Sequence, residues 1–220
     1  MNLDIITSHY VKNYTVVPTP SFVKWDLSNS NPLGMPFMLQ YHQSGENLKK
    51  VLSKLNFEQR MGLTKEVAKL ILRLQSQKST SCSILSSYTY AEESIMIFQK
   101  ELLNRHVMGA EHEIDLSEAR KQTTLQFIID LCEHMKGQER HDSPDQHWIW
   151  DGFTSLAADM HSRGMIPDVD YFYFTHLALH PAHILVDRVD DKSVEIKCVF
   201  GWEHGLFAPQ YMSCCPPTWL

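Results

Sequence analysis

The chain has 220 residues, of which 43% are apolar and 21% charged, a balance that suits one large domain or two small lobes with a real core and excludes a disordered chain. Lys and Arg number 20 against 26 Asp and Glu, and the resulting charge of −6 leaves no basic footprint for nucleic acid or an anionic membrane. No run approaches the ~18 uninterrupted apolar residues of a membrane span, and MNLDIITSHY lacks the basic-then-apolar layout of a secretory signal. The cysteines, Cys82, Cys132, Cys198, Cys214 and Cys215, are odd in number and show no C-x-x-C spacing. Neither a disulfide framework nor a zinc knuckle follows, and a reduced, cytoplasmic protein is expected.

In chain order, Leu3 to Tyr14 predicts an amphipathic helix with Ile6, Tyr10 and Val11 on one face, closed off by Pro18 and Pro20. Phe22 to Trp25 and Phe37 to Tyr41 read as strands of a hairpin, joined by the turn-forming run Asp26 to Gly34. Gly45 then breaks the chain before a basic helical segment, Glu46 to Leu55. Phe57 to Ser76 predicts a long helix capped by Asn56 and Gln59, with Met61, Leu63, Val67, Ala68, Ile71 and Leu74 in the core. Ser76 to Ser87 reads as a polar loop. Helices are expected over Leu125–Met135 and Trp150–Gly164, the second ending on Gly164 in the left-handed conformation. Gln138 to Gln146 reads as a solvated connection. Ile184 to Val189, the turn Asp190 to Ser193, and Val194 to Phe200 alternate as a β-hairpin. The sum is α+β, with a small β-containing start, a largely helical body and a late hairpin.

The informative segments are Thr175-His-Leu-Ala-Leu-His-Pro-Ala-His-Ile-Leu-Val186 and Cys198-Val-Phe-Gly-Trp-Glu-His204. They resemble the catalytic loop (H-x-D-L-x-P-x-N-I-L-V) and metal-binding loop (D-W-E or D-W-D) of the aminoglycoside phosphotransferase and choline kinase-like group, within the protein-kinase-like fold. Val17-Pro-Thr-Pro20 is similar to that group's I-P-V-P. Asp26 to Gln40 resembles its W-D-x-S-N-x-N-P-x-G hairpin, and Phe207-Ala-Pro to Pro216-Pro-Thr-Trp-Leu220 the F-A-P…P-P-x-W-L stretch of fungal members. The likeness covers most of residues 4–60 and 148–220. It implies a remnant small lobe over 1–45 and a large lobe over 46–220, truncated at its end.

The resemblance also implies a reaction, and this sequence departs from it at each reactive place. Phosphoryl transfer is mainly positioning and neutralisation of spreading negative charge. The group uses an aspartate to orient the attacking hydroxyl, an asparagine and a second aspartate to hold magnesium, and a lysine with a helix glutamate to fix ATP. Here His176 stands at the motif histidine, Ala178 at the catalytic aspartate, His183 at the asparagine and Gly201 at the metal aspartate, while Asp4 falls at the helix glutamate. Alanine and glycine bring no side-chain oxygen, and imidazole is a poor stand-in for an amide oxygen on a hard cation. Loss of a general base alone costs ~10²–10⁴ in rate. The expectation is a truncated, catalytically inactive pseudokinase with no resident cofactor, ATP and Mg entering only if the cleft still binds them. One alternative is a metabolite- or nucleotide-binding protein. Another is an atypical ATP-dependent phosphotransferase built on His176, His183 and Glu203, or completed by a second chain.

Other features read more plainly. His176, His180 and His183 have a zinc-like H-x3-H-x2-H spacing, but Pro181 puts them on a loop, and structural or solvent-facing roles are expected with no metal site. Glu203 and His204 are assigned to packing or surface, and the adjacent Cys214 and Cys215 to a plain loop. Trp148, Trp150 and Phe153 are expected in the core, the His134–His147 stretch as a polar connection, and Asp4 exposed. The partner is an unknown small molecule or protein, with no nucleic acid and no membrane, and exposed core is expected to drive association or low stability.

Overall fold

The computed structural model describes residues 2–91, 94–101, 119–139, 147–167, 169, 171–214 and 216–220. Helix α1 (Asn2–Tyr14) forms as the apolar spacing predicts, burying Ile6 and Val11. It stops ahead of the prolines, where the Thr15 hydroxyl donates to Val11 O at 2.7 Å and accepts from Val17 N. Strands β1 (Phe22–Asp26) and β2 (Phe37–Gln40) pair antiparallel, with Asp26 opposite Phe37. Their connection is held by its own side chains: Asp26 accepts from Ser28 N at 2.9 Å, and Asn31 Nδ2 donates to Ser28 O and Met35 O.

The segment expected as one helix, Glu46 to Leu55, is divided. Glu46–Asn47 form strand β3 opposite Val186 and Leu185, followed by a short helix α2 (Leu48–Val51) and a 3-10 turn, Leu52–Lys54. Asn47 causes the break, because its side chain accepts from Lys49 N at 3.1 Å as an N-cap and donates to Ala182 O at 2.9 Å. Helix α3 (Phe57–Gln75) opens with the predicted reciprocal cap between Asn56 and Gln59. Its buried stripe is Leu63, Val67, Leu70 and Leu74, so the core face is rotated from the expected one. Met61 is 45% exposed and Ala68 also faces out.

The polar segment after α3 is sheet rather than loop. Strands β4 (Lys78–Ser79), β5 (Ser83–Ala91) and β6 (Ser94–Glu101) join β7 (Phe172–His176) and β10 (Gly205–Ala208) in a five-stranded antiparallel sheet of order β4-β7-β10-β5-β6. Serines support this where their hydroxyls serve the backbone, as Ser79 Oγ does by accepting from Ser81 N at 3.1 Å. The second sheet carries the predicted late hairpin, β8 (Ile184–Arg188) with β9 (Val194–Val199), in the order β3-β8-β9. Its turn is fixed by Asp190 Oδ1, which accepts from both Lys192 N and Ser193 N at 2.7 Å. The architecture is α+β, with more sheet in its body than expected.

Helices α4 (Thr124–Glu139) and α5 (His147–Ser162) pack on one another, and a short helix α6 (Gln210–Ser213) follows β10. Gly164 ends the α5 region at φ +71°, as predicted. Two expectations are corrected. His134, Gln138 and Glu139 lie in α4 and His147 in α5, so the polar connection is helical at both ends; residues 140–146 lie outside the described residues. Trp148 is 71% and Phe153 51% exposed, so neither is core, and Trp150 is only part-buried. An aromatic pair on the outer face satisfies the same sequence pattern as one facing in, and α5 turns Ala157 to the interior instead.

The core lies between the two sheets, α1 and α3, around fully buried Trp202, Phe172, Phe174 and Phe207. Helix α1 crosses β10 where Gly205 removes the side chain: a Cβ there would stand 2.6 Å from Thr7 Cγ2. Gly205→Ala should therefore destabilise the fold by about 1–3 kcal/mol through overpacking. Urea unfolding checks this, and Thr7→Ser, which deletes the opposing methyl, should recover part of the loss.

Candidate functional site

Two loops that leave the ends of strands meet under α1. The first runs from His176 at the end of β7 to a 3-10 turn, Pro181–His183, that leads into β8. His180 caps this turn by accepting from Ala182 N on Nδ1 at 3.2 Å, and Pro181 supplies a φ suited to its first position. The second loop leaves β9 through Phe200 and Gly201 into a 3-10 turn, Trp202–His204, ahead of β10. The loops are stitched by Phe200 N donating to His183 O at 2.8 Å and Leu177 N donating to His204 O at 3.2 Å.

His176 is buried, and its Nε2 lies 2.7 Å from Phe200 O. A carbonyl only accepts, so Nε2 carries the hydrogen, and among the described residues buried Nδ1 finds no partner outside its own residue. Burial lowers its pKa to about 4, with His183 and His204 pushing the same way and Phe200 O opposing, so the ring is neutral near pH 7. His183 donates from Nδ1 to Ala178 O at 2.8 Å. The His176, His183 and His204 rings form a near-equilateral triangle, with centroids 5.8, 6.3 and 6.4 Å apart.

Gly201 sits in the left-handed region at φ +77°, and a Cβ on it would stand 3.0 Å from His183 Nδ1. The His183 ring thus rests on the backbone where the resemblance places a metal-binding aspartate. Ala178 presents its carbonyl to that same ring, where the resemblance places a catalytic carboxylate. Asp4 is not exposed as expected. It is half-buried and accepts from Trp202 N at 3.0 Å, tying α1 to the second loop. Burial and then the nearby Glu203 raise its pKa, while the Trp202 N–H and His183 pull it down. Glu203 Oε1 lies 3.6 Å from His204 Nε2.

The sequence-predicted residues His176, Ala178, His183, Gly201 and Asp4 therefore converge on one place. His180 does not join them: it is exposed and serves its own turn. Among the described residues no group of three or more His, Cys, Asp or Glu is arranged to hold a metal ion. One nitrogen each of His176 and His183 is committed to a carbonyl, which limits what the triangle offers a cation. Cys214 is exposed with a free thiol, and Cys215 lies outside the described residues.

Beside the first loop is a cavity of about 340 Å³, floored by Ile71 and Leu74 of α3 and walled by Thr175–His180 and the tail Pro216–Trp219. Trp219 Nε1 donates to Leu179 O at 2.7 Å and fixes that wall. The P-P-x-W-L tail is visible in the sequence as part of the resemblance, but nothing in it marks the wall of a site. A tryptophan after two prolines signals an anchored tail, though not what it anchors to.

No family model matches the sequence, and no curated protein matches it. Among solved structures the chain is similar to an aminoglycoside phosphotransferase, APH(2")-IIia, in its complex with GDP and kanamycin, at 12% identity and a TM-score of 0.48. The match covers 94% of this chain and 57% of that one, so this chain spans little more than half the neighbour's length. No helix among the described residues is long and apolar enough to cross a membrane.

Proposed function

We propose that the chain is a degenerate, fungal-type relative of the aminoglycoside phosphotransferase and choline kinase-like group, with a kinase-like fold, that binds a small molecule in the cytoplasm without transferring phosphate. The observation that carries this reading is the contact among His183, Ala178 and Gly201. The positions assigned by resemblance to base and metal ligands close on one another through an imidazole, a carbonyl and a bare Cα. Magnesium needs oxygen ligands in near-octahedral array, and neither His183 nor Gly201, at the two metal-ligand positions of the resemblance, has a side-chain oxygen to give.

An altered enzyme built on His176, His183 and Glu203 is less well supported. A general base works best with a pKa near the operating pH. The ring of His176 is held near 4, and its Nε2 is turned to Phe200 O.

The test is thermal unfolding of the chain with and without millimolar Mg-ATP, followed by ADP release over a panel of hydroxyl acceptors. A nucleotide at ~100 times its Kd adds about 2.7 kcal/mol, which is roughly 5–10 °C for a chain of this size. We expect no rise of that order and no ADP above a protein-free control. Magnesium-dependent transfer to any acceptor, lost in His183→Ala, would overturn the reading in favour of the altered enzyme.

A further inference from the structure

Resting on the small-molecule reading above, we infer that the cavity beside the first loop takes a neutral, apolar ligand of about two fused rings and rejects cationic amines. The cavity volume of about 340 Å³ lies within the range of small-molecule sites, near its lower end. Its walls are built chiefly by Ile71, Leu74, Leu177, Ala178, Leu179 and Trp219, and no aspartate or glutamate among the described residues lines it.

A buried ammonium needs an anionic or strongly polar partner, and without one it gives up its hydration uncompensated. The ionisable groups on the wall are His176, whose imidazole is neutral near pH 7, and His180, whose Nδ1 already serves Ala182 N. A ligand hydroxyl, by contrast, finds a partner in the exposed Thr218 at the rim. The wall is also fixed in advance. Trp219 is held by its bond to Leu179 O, so binding a flat apolar ring does not have to order that side chain. The feature that selects the ligand is the absence of charge on the wall, which carries Ala178 on the loop and Thr218 on the exposed tail.

The probes are a pair matched in shape, 2-naphthylmethanol and 2-naphthylmethylamine, the second cationic at neutral pH. Titration of the native chain, followed by ligand-observed NMR, should show saturable binding of the alcohol and at least roughly tenfold weaker binding of the amine. Thr218→Asp, on the exposed tail, should narrow or reverse that preference. Trp219→Ala should weaken the alcohol about tenfold or more. A second apolar groove of about 440 Å³ lies between α4 and α5, and Leu156→Glu there should leave alcohol binding unchanged.

Equal or tighter binding of the amine by the native chain, or no saturable alcohol binding, overturns the inference. So does alcohol binding that Leu156→Glu removes and Trp219→Ala spares. Phosphorylation of the bound alcohol by Mg-ATP would instead overturn the proposed lack of transfer and leave the ligand class standing.

Discussion

Gly201→Asp, the change that returns the metal-binding carboxylate of the resemblance, is expected to lower the unfolding midpoint by about 5–15 °C. Two costs add. The residue sits at φ +77°, a conformation that costs most L-residues roughly 1–2 kcal/mol, though aspartate tolerates it better than others. Its Cβ would also stand 3.0–3.2 Å from three atoms of the His183 imidazole. That ring is held in place by its bond to Ala178 O, so moving it breaks a part-buried contact and adds about 1–3 kcal/mol. At about 2–4 °C per kcal/mol for a chain of this length, the midpoint shift follows. His183→Asn in the same chain shortens the obstructing side chain and should recover the steric part but not the backbone part. A double-mutant cycle by calorimetry measures the coupling. Additive effects would show that His183 and Gly201 do not depend on each other, and the closed contact would lose its meaning.

What the sequence made legible was set locally. The α3 cap needs only Asn56 and Gln59, three residues apart, and the β8–β9 turn needs only Asp190 and its two following amides. Helix α1 showed itself because Ile6, Tyr10 and Val11 leave one apolar face. What was not legible depends on distant partners. Strand β5 carries serines at positions 83, 86 and 87, and is a strand because β6 and β10 flank it on both edges. Helix α3 has apolar residues enough for two faces, and its contact with β7 and β9 buries the expected Leu63 but chooses Leu70 over Met61 and Ala68. On α5, Trp148 and Phe153 match an inward pattern but face outward, because the helix is covered on a different side.

The candidate site divides in the same way. The residue types at 176, 178, 183 and 201 are plain in the sequence, and so is the lack of oxygen at two of them. That His183 bonds the carbonyl of Ala178 depends on which way a peptide plane faces, which no side-chain pattern encodes. Asp4 is expected exposed because the sequence offers no lysine to play the partner that the resemblance pairs with this position. Its actual partner is the backbone amide of Trp202, a donor that every residue but proline carries and that residue type does not reveal.

Acidification should cost this protein about 3 kcal/mol between pH 6.5 and 4 through His176 alone. Burial lowers its folded pKa from 6.5 to about 4, while the unfolded chain keeps the ordinary value. Below pH 6.5 the unfolded state therefore binds the proton that the folded state refuses. Stability is full above 6.5, falls with pH through the window, and levels off below 4, at about 1.36 kcal/mol per unit of pKa difference. His9, also lowered by partial burial and by Lys12, adds a loss of the same sign. Asp4 acts oppositely, because its raised pKa lets the folded state take up a proton first as pH falls towards 4. Asp26 and Asp190, held below 3.8 mainly by hydrogen bonds within their own turns, lose their contribution only under the window. The difference between the native chain and His176→Gln isolates the ring, since glutamine can still donate to Phe200 O but does not titrate. Urea unfolding at a series of pH values should show a steeper fall for the native chain, converging with the variant above 6.5. Parallel curves for the two would mean that His176 takes up its proton in the folded state, and that the carbonyl of Phe200 outweighs the burial of the ring.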